Sequence, residues 1–246
     1  MKKFLSTLLA AAMCISLAAC GGNNSPPSTA GGGSASSGGS GSAGGSGSGY
    51  TGGSYSISLG HICSENHSLH LASLKFKDFV EEQSGGAITV DVHPNGVLGG
   101  DEAMLESVAL GTLTMVVPSA SVMNNYVDAF GILAMPYLFT NTDDAFAAVD
   151  GELGTLLNQK LVDANVGLTN LGYNFNGIRN MTNKVRPIET PDDLKGLKMR
   201  CMSNEMFVTM FKLLGANATP MAWSELFTAM QQGTVDGEEN PASLIY

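Results

Sequence analysis

Basic side chains and long apolar runs are both scarce in this sequence. Only 12 of its 246 residues are Lys or Arg, against 22 Asp or Glu. Nucleic-acid binding depends on basic patches that neutralise phosphates, so this acidic composition argues against a nucleic-acid partner. The apolar run from Phe4 to Ala19 has 16 residues, fewer than the roughly 20 that span a bilayer, and no other run is long enough.

Catalytic motifs and a disulfide framework are missing as well. The sequence has no Gly-x-Ser-x-Gly elbow, no phosphate-binding loop and no paired carboxylates in a catalytic context, so we expect no enzyme and no cofactor. Of four cysteines, Cys14 and Cys20 lie near the N-terminus, which leaves only Cys63 and Cys201 in the body of the chain. Nothing in the sequence places either thiol beside a histidine, which argues against a thiol nucleophile.

The N-terminus has the pattern of a bacterial lipoprotein signal. Lys2 and Lys3 precede the apolar run, which ends in small residues before Cys20. We therefore expect a signal peptide over residues 1–19, cleavage before Cys20 and a lipid on that cysteine; an ordinary signal peptide that contains a cysteine is the alternative. The pattern predicts an exported protein, held by a lipid anchor at the extracytoplasmic or periplasmic face of the membrane.

Residues 20–54 are predicted to form a lipidated, Gly/Ser-rich tether. Gly and Ser supply 24 of the 34 residues from Gly21 to Ser54. Such a segment buries too little apolar surface to offset the entropy lost on ordering, so we expect a flexible coil. The globular part then begins at Tyr55.

The rest of the chain alternates strand and helix signals, which predicts an α/β fold. Short apolar runs bounded by Gly or Pro predict strands, and apolar residues at helical spacing ended by glycine predict helices. The predicted strands are 55–59, 87–92, 113–117, 167–173, 178–182 and 198–202. The predicted helices are 69–80, 101–110, 142–149, 152–164, 205–214 and 224–232, with a single turn at 191–194.

Short motifs follow one another along the body of the chain in a distinctive order. They are Leu59-Gly60-His61, Ser84-Gly85-Gly86, His93 to Gly100, Leu110-Gly111, Met135 to Phe139, Gly177 to Asn180, Leu194 to Arg200, Leu214 to Ala216, Thr219 to Glu225 and Val235 to Pro241. In these motifs, from about Ser56 onward, the chain resembles the DctP-type substrate-binding proteins of tripartite ATP-independent periplasmic (TRAP) transporters. The resemblance implies a two-lobed, periplasmic-binding-protein-like α/β fold. Such a receptor closes on a small organic acid and delivers it to a separate, ion-coupled TRAP permease.

The resemblance also implies a division into lobes. We expect residues 55–176 to form the first solute-binding lobe and residues 177–246 to form part of the second. Members of the family usually continue past the Asp236–Pro241 motif with a helix and strands that complete both lobes. We therefore expect the second lobe of this chain to be incomplete.

A small set of polar and aromatic side chains is expected to hold the ligand. The resemblance implies that Arg200 pairs with the ligand's carboxylate, and a guanidinium does present paired donors that match a carboxylate. Arg200 also stands at the end of a predicted strand, where α/β folds bind ligands. The full expected set is Arg200, Arg179, Asn240 and Trp223 from the second lobe with Glu65 and Ser119 from the first.

Three members of this set have structural alternatives. Arg179 could instead form an ion pair with Glu238 or Glu239. Asn240, which precedes Pro241, could cap a helix, because an amide side chain is a common N-cap. Trp223 could pack at a hinge instead of against a ligand.

The sequence leaves several classes of acid open as the ligand. Sialic-acid-binding relatives carry a Glu and an Arg in the segment that matches Pro118 to Ser121, and this chain has Pro-Ser-Ala-Ser there. This departure favours a smaller or less polar acid. Dicarboxylates, keto acids, aromatic acids and sugar acids all remain compatible with the residues.

A metal-binding lipoprotein is the alternative function. His61, Cys63, Glu65 and His67 fall at every second position, which on a strand would place all four on one face. Imidazole, thiolate and carboxylate are all ligands of transition metals. Against this reading, the strand signal ends near Gly60, which favours a loop and a helix start in this segment.

Overall fold

A computed structural model describes residues 49–139 and 141–245, so the predicted signal peptide, Cys20 and most of the tether lie outside the described residues. The first sheet has three parallel strands in the order β2-β1-β3. Its strands are β1 (Tyr55–Gly60), β2 (Ile88–His93) and β3 (Met115–Val116). Helices α1 (Ser68–Gln83) and α2 (Asp101–Ala109) make the crossovers that parallel strands require.

Helical structure fills the middle of the chain. Two 3-10 helices, at Ala120–Asn125 and Asp128–Ala134, precede α3 (Thr142–Val149) and α4 (Glu152–Ala164). The Asn141 side chain caps α3 by accepting from the Asp144 N–H at 2.9 Å. The expected strand at 167–173 is wrong, since residues 166–178 form neither helix nor strand. Gly167 and Gly172 there have φ of +75° and +154°, which interrupt an extended run.

The second sheet has four strands in the order β4-β7-β5-β6, with β4 antiparallel to β7 and the others parallel. Its strands are β4 (Arg179–Asn183), β5 (Lys198–Cys201), β6 (Asn217–Pro220) and β7 (Gly237–Pro241). Its helices are α5 (Glu205–Leu213), α6 (Trp223–Gln231) and the short α7 (Ala242–Ile245). The sequence pattern did not predict β6 and β7, because their Asn, Gly, Glu and Pro residues have low strand propensity.

The α/β fold is therefore as expected, and one apolar core links its parts. Residues on α2, the 3-10 helices and α4 pack in the same cluster as residues on β5 and α5. Phe130 and Phe211, 2% and 0% exposed, are the largest fully buried side chains of this core. The core thus includes residues on both sides of the expected lobe boundary at 176/177, and the division into lobes stays a prediction.

Two further observations concern membrane-spanning helices and the cysteines. Within residues 49–139 and 141–245, no helix combines the length and the apolar composition needed to cross a membrane. Cys63 and Cys201 are both buried free thiols, so the structure does not join them.

Candidate ligand-binding site

A cavity of about 1750 Å³ lies between the carboxyl ends of the first-sheet strands and the strands of the second sheet. It exceeds the roughly 300–1,000 Å³ of typical small-molecule pockets, so a small acid fits easily. Most of its wall is apolar. Several polar and aromatic residues also line it, among them Asp101, Ser119, Ser121, Tyr173, Asn176, Arg179, Arg200, Trp223, Glu239 and Asn240.

Arg200 is held in the wall of this cavity with only 2% of its surface exposed. Its Nε and Nη2 donate to the Met221 carbonyl at 3.2 and 2.9 Å, and the guanidinium carbon lies 5.8 Å from the centroid of the Trp223 ring. Among the described residues no carboxylate lies within salt-bridge distance of it. Burial lowers the pKa of Arg200 and the nearby carboxylates oppose that shift, but a guanidinium stays charged in proteins. The wall therefore presents an oriented positive charge.

Arg179, the second arginine of the cavity, is already neutralised by a carboxylate. Its Nε donates to Oε2 of Glu239, and its Nη2 donates to Oε1 at 2.8 Å and to the Glu239 carbonyl at 2.7 Å. The Glu239 side chain is 5% exposed. This fork-to-fork geometry is the strong form of an ion pair, and it supports the structural alternative for Arg179 with Glu239, not Glu238, as the partner.

Asn240 lies in β7 next to the arginines and is buried. Its Nδ2 donates to Oε2 of Glu238 at 2.5 Å. Helix α7 begins two residues later at Ala242, so the alternative in which Asn240 caps a helix is wrong. Trp223 is the first residue of α6, lines the cavity and packs against Arg200, and its contact with a ligand stays a prediction.

Ser119 lines the cavity just before the first 3-10 helix, and it contacts Asp101, a residue that the sequence pattern did not point out. The Ser119 N–H donates to Oδ2 of Asp101 at 3.0 Å, and the Ser119 and Ser121 hydroxyl oxygens lie 2.8 Å apart. Asp101 is 6% exposed, and burial raises the pKa of its carboxyl from 3.8 to about 6. An acid directly after Gly99-Gly100, beyond the carboxyl end of a strand, was the signal available in the sequence.

Glu65 is not brought together with the other expected site residues. It is exposed and does not line the cavity. The cap of α1 is His67, whose Nδ1 accepts from the Leu69 N–H at 3.1 Å.

The residues of the metal-binding alternative do not converge on a metal position. Strand β1 ends at Gly60, so the alternation that would align them stops before His61. His61 Nε2 lies 3.1 Å from Nδ1 of His70, and burial raises the pKa of the Cys63 thiol to about 12, which disfavours the thiolate a metal needs. Over the part of the chain that the structure describes, no three His, Cys, Asp or Glu side chains form a group that could hold a metal ion.

Comparison with known proteins agrees with this geometry. Residues 59–246 match the family model described as bacterial extracellular solute-binding protein, family 7 (DctP). The chain is 34% identical over 191 residues to the 2,3-diketo-L-gulonate-binding periplasmic protein YiaO of Escherichia coli K12, covering 78% of this chain and 58% of that protein. It is 37% identical over 186 residues to the C4-dicarboxylate-binding protein DctB of Bacillus subtilis 168, covering 76% and 53%.

A solved structure is similar as well. The sugar acid binding protein DctPAm of Advenella mimigardefordensis, in complex with galactonate, superposes with a TM-score of 0.75 at 37% identity, covering 78% of this chain and 62% of that one. The chain thus spans a little more than half the length of the curated relatives it matches.

Proposed function

This chain belongs to family 7 of the bacterial extracellular solute-binding proteins, the DctP family, and we propose that it is a receptor that binds a small organic acid by its carboxylate. The receptor then delivers the acid to a TRAP-type membrane permease. Cys20 carries the lipid that keeps the receptor at the extracytoplasmic or periplasmic face of the membrane. Residues 55–176 and 177–246 contribute the two walls of the binding cleft.

One observation carries the proposal. Arg200 is a buried guanidinium in a cavity wall, oriented by the Met221 carbonyl and the Trp223 ring, and no described carboxylate lies within salt-bridge distance of it. Burying a charge without a partner is costly, so such a site favours an anionic ligand. The relatives named above bind a diketo-gulonate, C4-dicarboxylates and galactonate, and all of these present a carboxylate.

Binding follows from the placement of polar groups on the two walls. The ligand's carboxylate meets Arg200 on the second sheet, and the rest of the ligand meets Ser119 and Ser121, which follow β3 at the start of the first 3-10 helix. Closure removes water from the cleft, which strengthens the charge pair because the local dielectric constant falls. The closed state gains population only by the ligand's differential affinity for it.

Trp223 provides the assay, because it is the single tryptophan of the chain and packs against Arg200. Titration of the full chain with small carboxylates should change its fluorescence and raise its melting temperature. Arg200→Ala should weaken binding at least about 30-fold, since losing one partner of a buried charge pair costs roughly 2–5 kcal/mol. Arg200→Lys should recover only part of the affinity, because an ammonium lacks the paired donors.

Arg186→Ala is the matched control. Arg186 is an exposed arginine of the same sheet region that donates to the Asp193 and Lys195 carbonyls, outside the cavity. It should leave affinity unchanged. Wild-type affinity in Arg200→Ala would refute the assignment of Arg200.

A further inference from the structure

Some buried oxygen atoms in the cavity wall have no hydrogen-bond partner in the protein, and they indicate which groups a ligand needs. Five buried side-chain nitrogen or oxygen atoms among the described residues have no hydrogen-bond partner in the protein, and three belong to cavity residues: Asp101 Oδ1, the Tyr173 hydroxyl and Asn176 Oδ1. A buried polar atom without a partner costs free energy comparable to a lost hydrogen bond. A ligand that satisfies these atoms therefore gains affinity from each of them.

Two of these three atoms, the carboxylate and amide oxygens, accept hydrogen bonds and donate none. They need a donor on the ligand. A ligand carboxylate has no proton to donate at neutral pH, whereas a hydroxyl group has one. These acceptors in the cavity wall therefore call for ligand hydroxyls.

Asp101 and Arg200 line the same cavity and lie near each other in its wall. The charges of Arg200 and Arg179 both act on the Asp101 carboxyl. The start of α2 also approaches the segment that precedes Trp223, because a Cβ placed on Gly100 would lie 3.7 Å from the Ala222 Cβ. The two charged groups thus define two ends of one subsite.

The charged side chains of the cavity wall favour a ligand with one carboxylate over a ligand with two. Among the described residues that line the cavity, the basic side chains are Arg179 and Arg200, and Glu239 already neutralises Arg179. Arg200 is the lining cation that has no carboxylate within salt-bridge distance, so it can pair with one ligand carboxylate. A second carboxylate on the same ligand would find no cation of its own and would face Asp101, a like charge.

We propose that the ligand is a polyhydroxylated monocarboxylate, a sugar acid in chemical class, whose carboxylate pairs with Arg200 and whose hydroxyl donates to Oδ1 of Asp101. This inference rests on the proposed receptor function and narrows its ligand. Asp101 is then the residue that selects hydroxy acids over dicarboxylates. Tyr173 and Asn176, on the irregular segment before β4, add hydrogen bonds to hydroxyls farther along the ligand.

The test compares acids of equal carbon number by Trp223 fluorescence and by melting shift at pH 7.5, where Asp101 is ionised. The pairs are erythronate with succinate and galactonate with adipate. In at least one pair the hydroxy acid should bind about tenfold more tightly or better, as expected for one hydrogen bond to a charged group. Asp101→Asn should weaken binding of the hydroxy acid and leave binding of the dicarboxylate unchanged or tighter. The ratio of the two affinities should therefore fall about tenfold.

Glu106→Gln is the control, since it removes an exposed negative charge from the same helix outside the cavity and should leave the discrimination intact. Equal weakening of both acids by Asp101→Asn would mean a purely structural role and would overturn the proposal. Dicarboxylates that bind as well as the hydroxy acids in both pairs would also overturn it while leaving the receptor function in place, provided that Arg200→Ala still abolishes binding. No response to any of the four acids would overturn this ligand assignment, whereas a response to another small carboxylate that is lost in Arg200→Ala would still support the receptor function.

Discussion

Asp101→Asn should stabilise the free protein at neutral pH, although the same change should weaken its binding of a hydroxy acid. Burial raises the pKa of the Asp101 carboxyl from 3.8 to about 6, with the charge of Glu102 adding to the effect. The folded state therefore prefers the protonated form more than the unfolded chain does. Stability from this group is fully present below pH 3.8 and is lost as the pH rises through about 6.

The size of the effect follows from that difference in pKa. One pKa unit corresponds to 1.36 kcal/mol, so the ionised carboxylate costs the folded state about 3 kcal/mol at pH 7.5. Asparagine is neutral at every pH, and its side-chain oxygen can still accept the Ser119 N–H. We expect a gain of about 1–3 kcal/mol, or on the order of 2–10 °C in melting temperature for a domain of this size.

Urea unfolding at pH 7.5 and at pH 4 measures this prediction. The gain should be present at pH 7.5 and nearly absent at pH 4, where the wild-type carboxyl is protonated in the folded state. Glu106→Gln, an exposed acid on the same helix, should change the free energy of unfolding by less than about 0.5 kcal/mol at both values. A loss of stability at pH 7.5, or the same gain at both values, would refute the reasoning. The expected outcome is a trade between stability and function at a binding residue.

Three further predictions concern the fold. Gly177→Ala should cost about 1–3 kcal/mol in urea unfolding, because Gly177 has φ of +125° and a new Cβ would lie 2.7 Å from the Pro241 Cβ; an unchanged midpoint would contradict this. Phe211→Ala should lower the free energy of unfolding by about 3–5 kcal/mol, since Phe211 is 0% exposed. Leu213→Ala on the same helix, where Leu213 is 82% exposed, should lower it little. Equal losses for the two variants would contradict the placement of Phe211 in the core. Burial lowers the pKa of His61 from 6.5 to about 4, so stability from this group is present above pH 6.5 and is lost as the pH falls toward 4. His61→Gln should flatten that decline between pH 7 and 4.5, and an unchanged slope would exclude His61 as its source.

Much of the local structure could be predicted because its causes are local. The bounds of α4 were expected at 152–164 and observed there, since apolar spacing and flanking residues mark a helix within its own segment. Strand β1 was expected one residue short of its observed end. The family and its arginine at position 200 were also accessible, because the motifs that carry them are contiguous.

Features that depend on distant partners could not be predicted in the same way. Strand β7, Gly237–Pro241, consists of residues that seldom form strands, and it is a strand because β4 and β5 supply hydrogen-bond partners on both sides. Residues 167–173 had the apolar pattern of a strand, yet they do not form one. Pairing between strands is non-local, so a pattern within one segment does not determine it.

The sequence by itself determined the α/β class, the family and the presence of an arginine at position 200. Only the tertiary structure decided how the charges are distributed around that cation. Arg179 is neutralised by a glutamate 60 residues away, and Asp101 is buried in the wall that Ser119 shares. Burial and pairing between distant residues set which charges remain available, and these two properties arise only when the chain is folded.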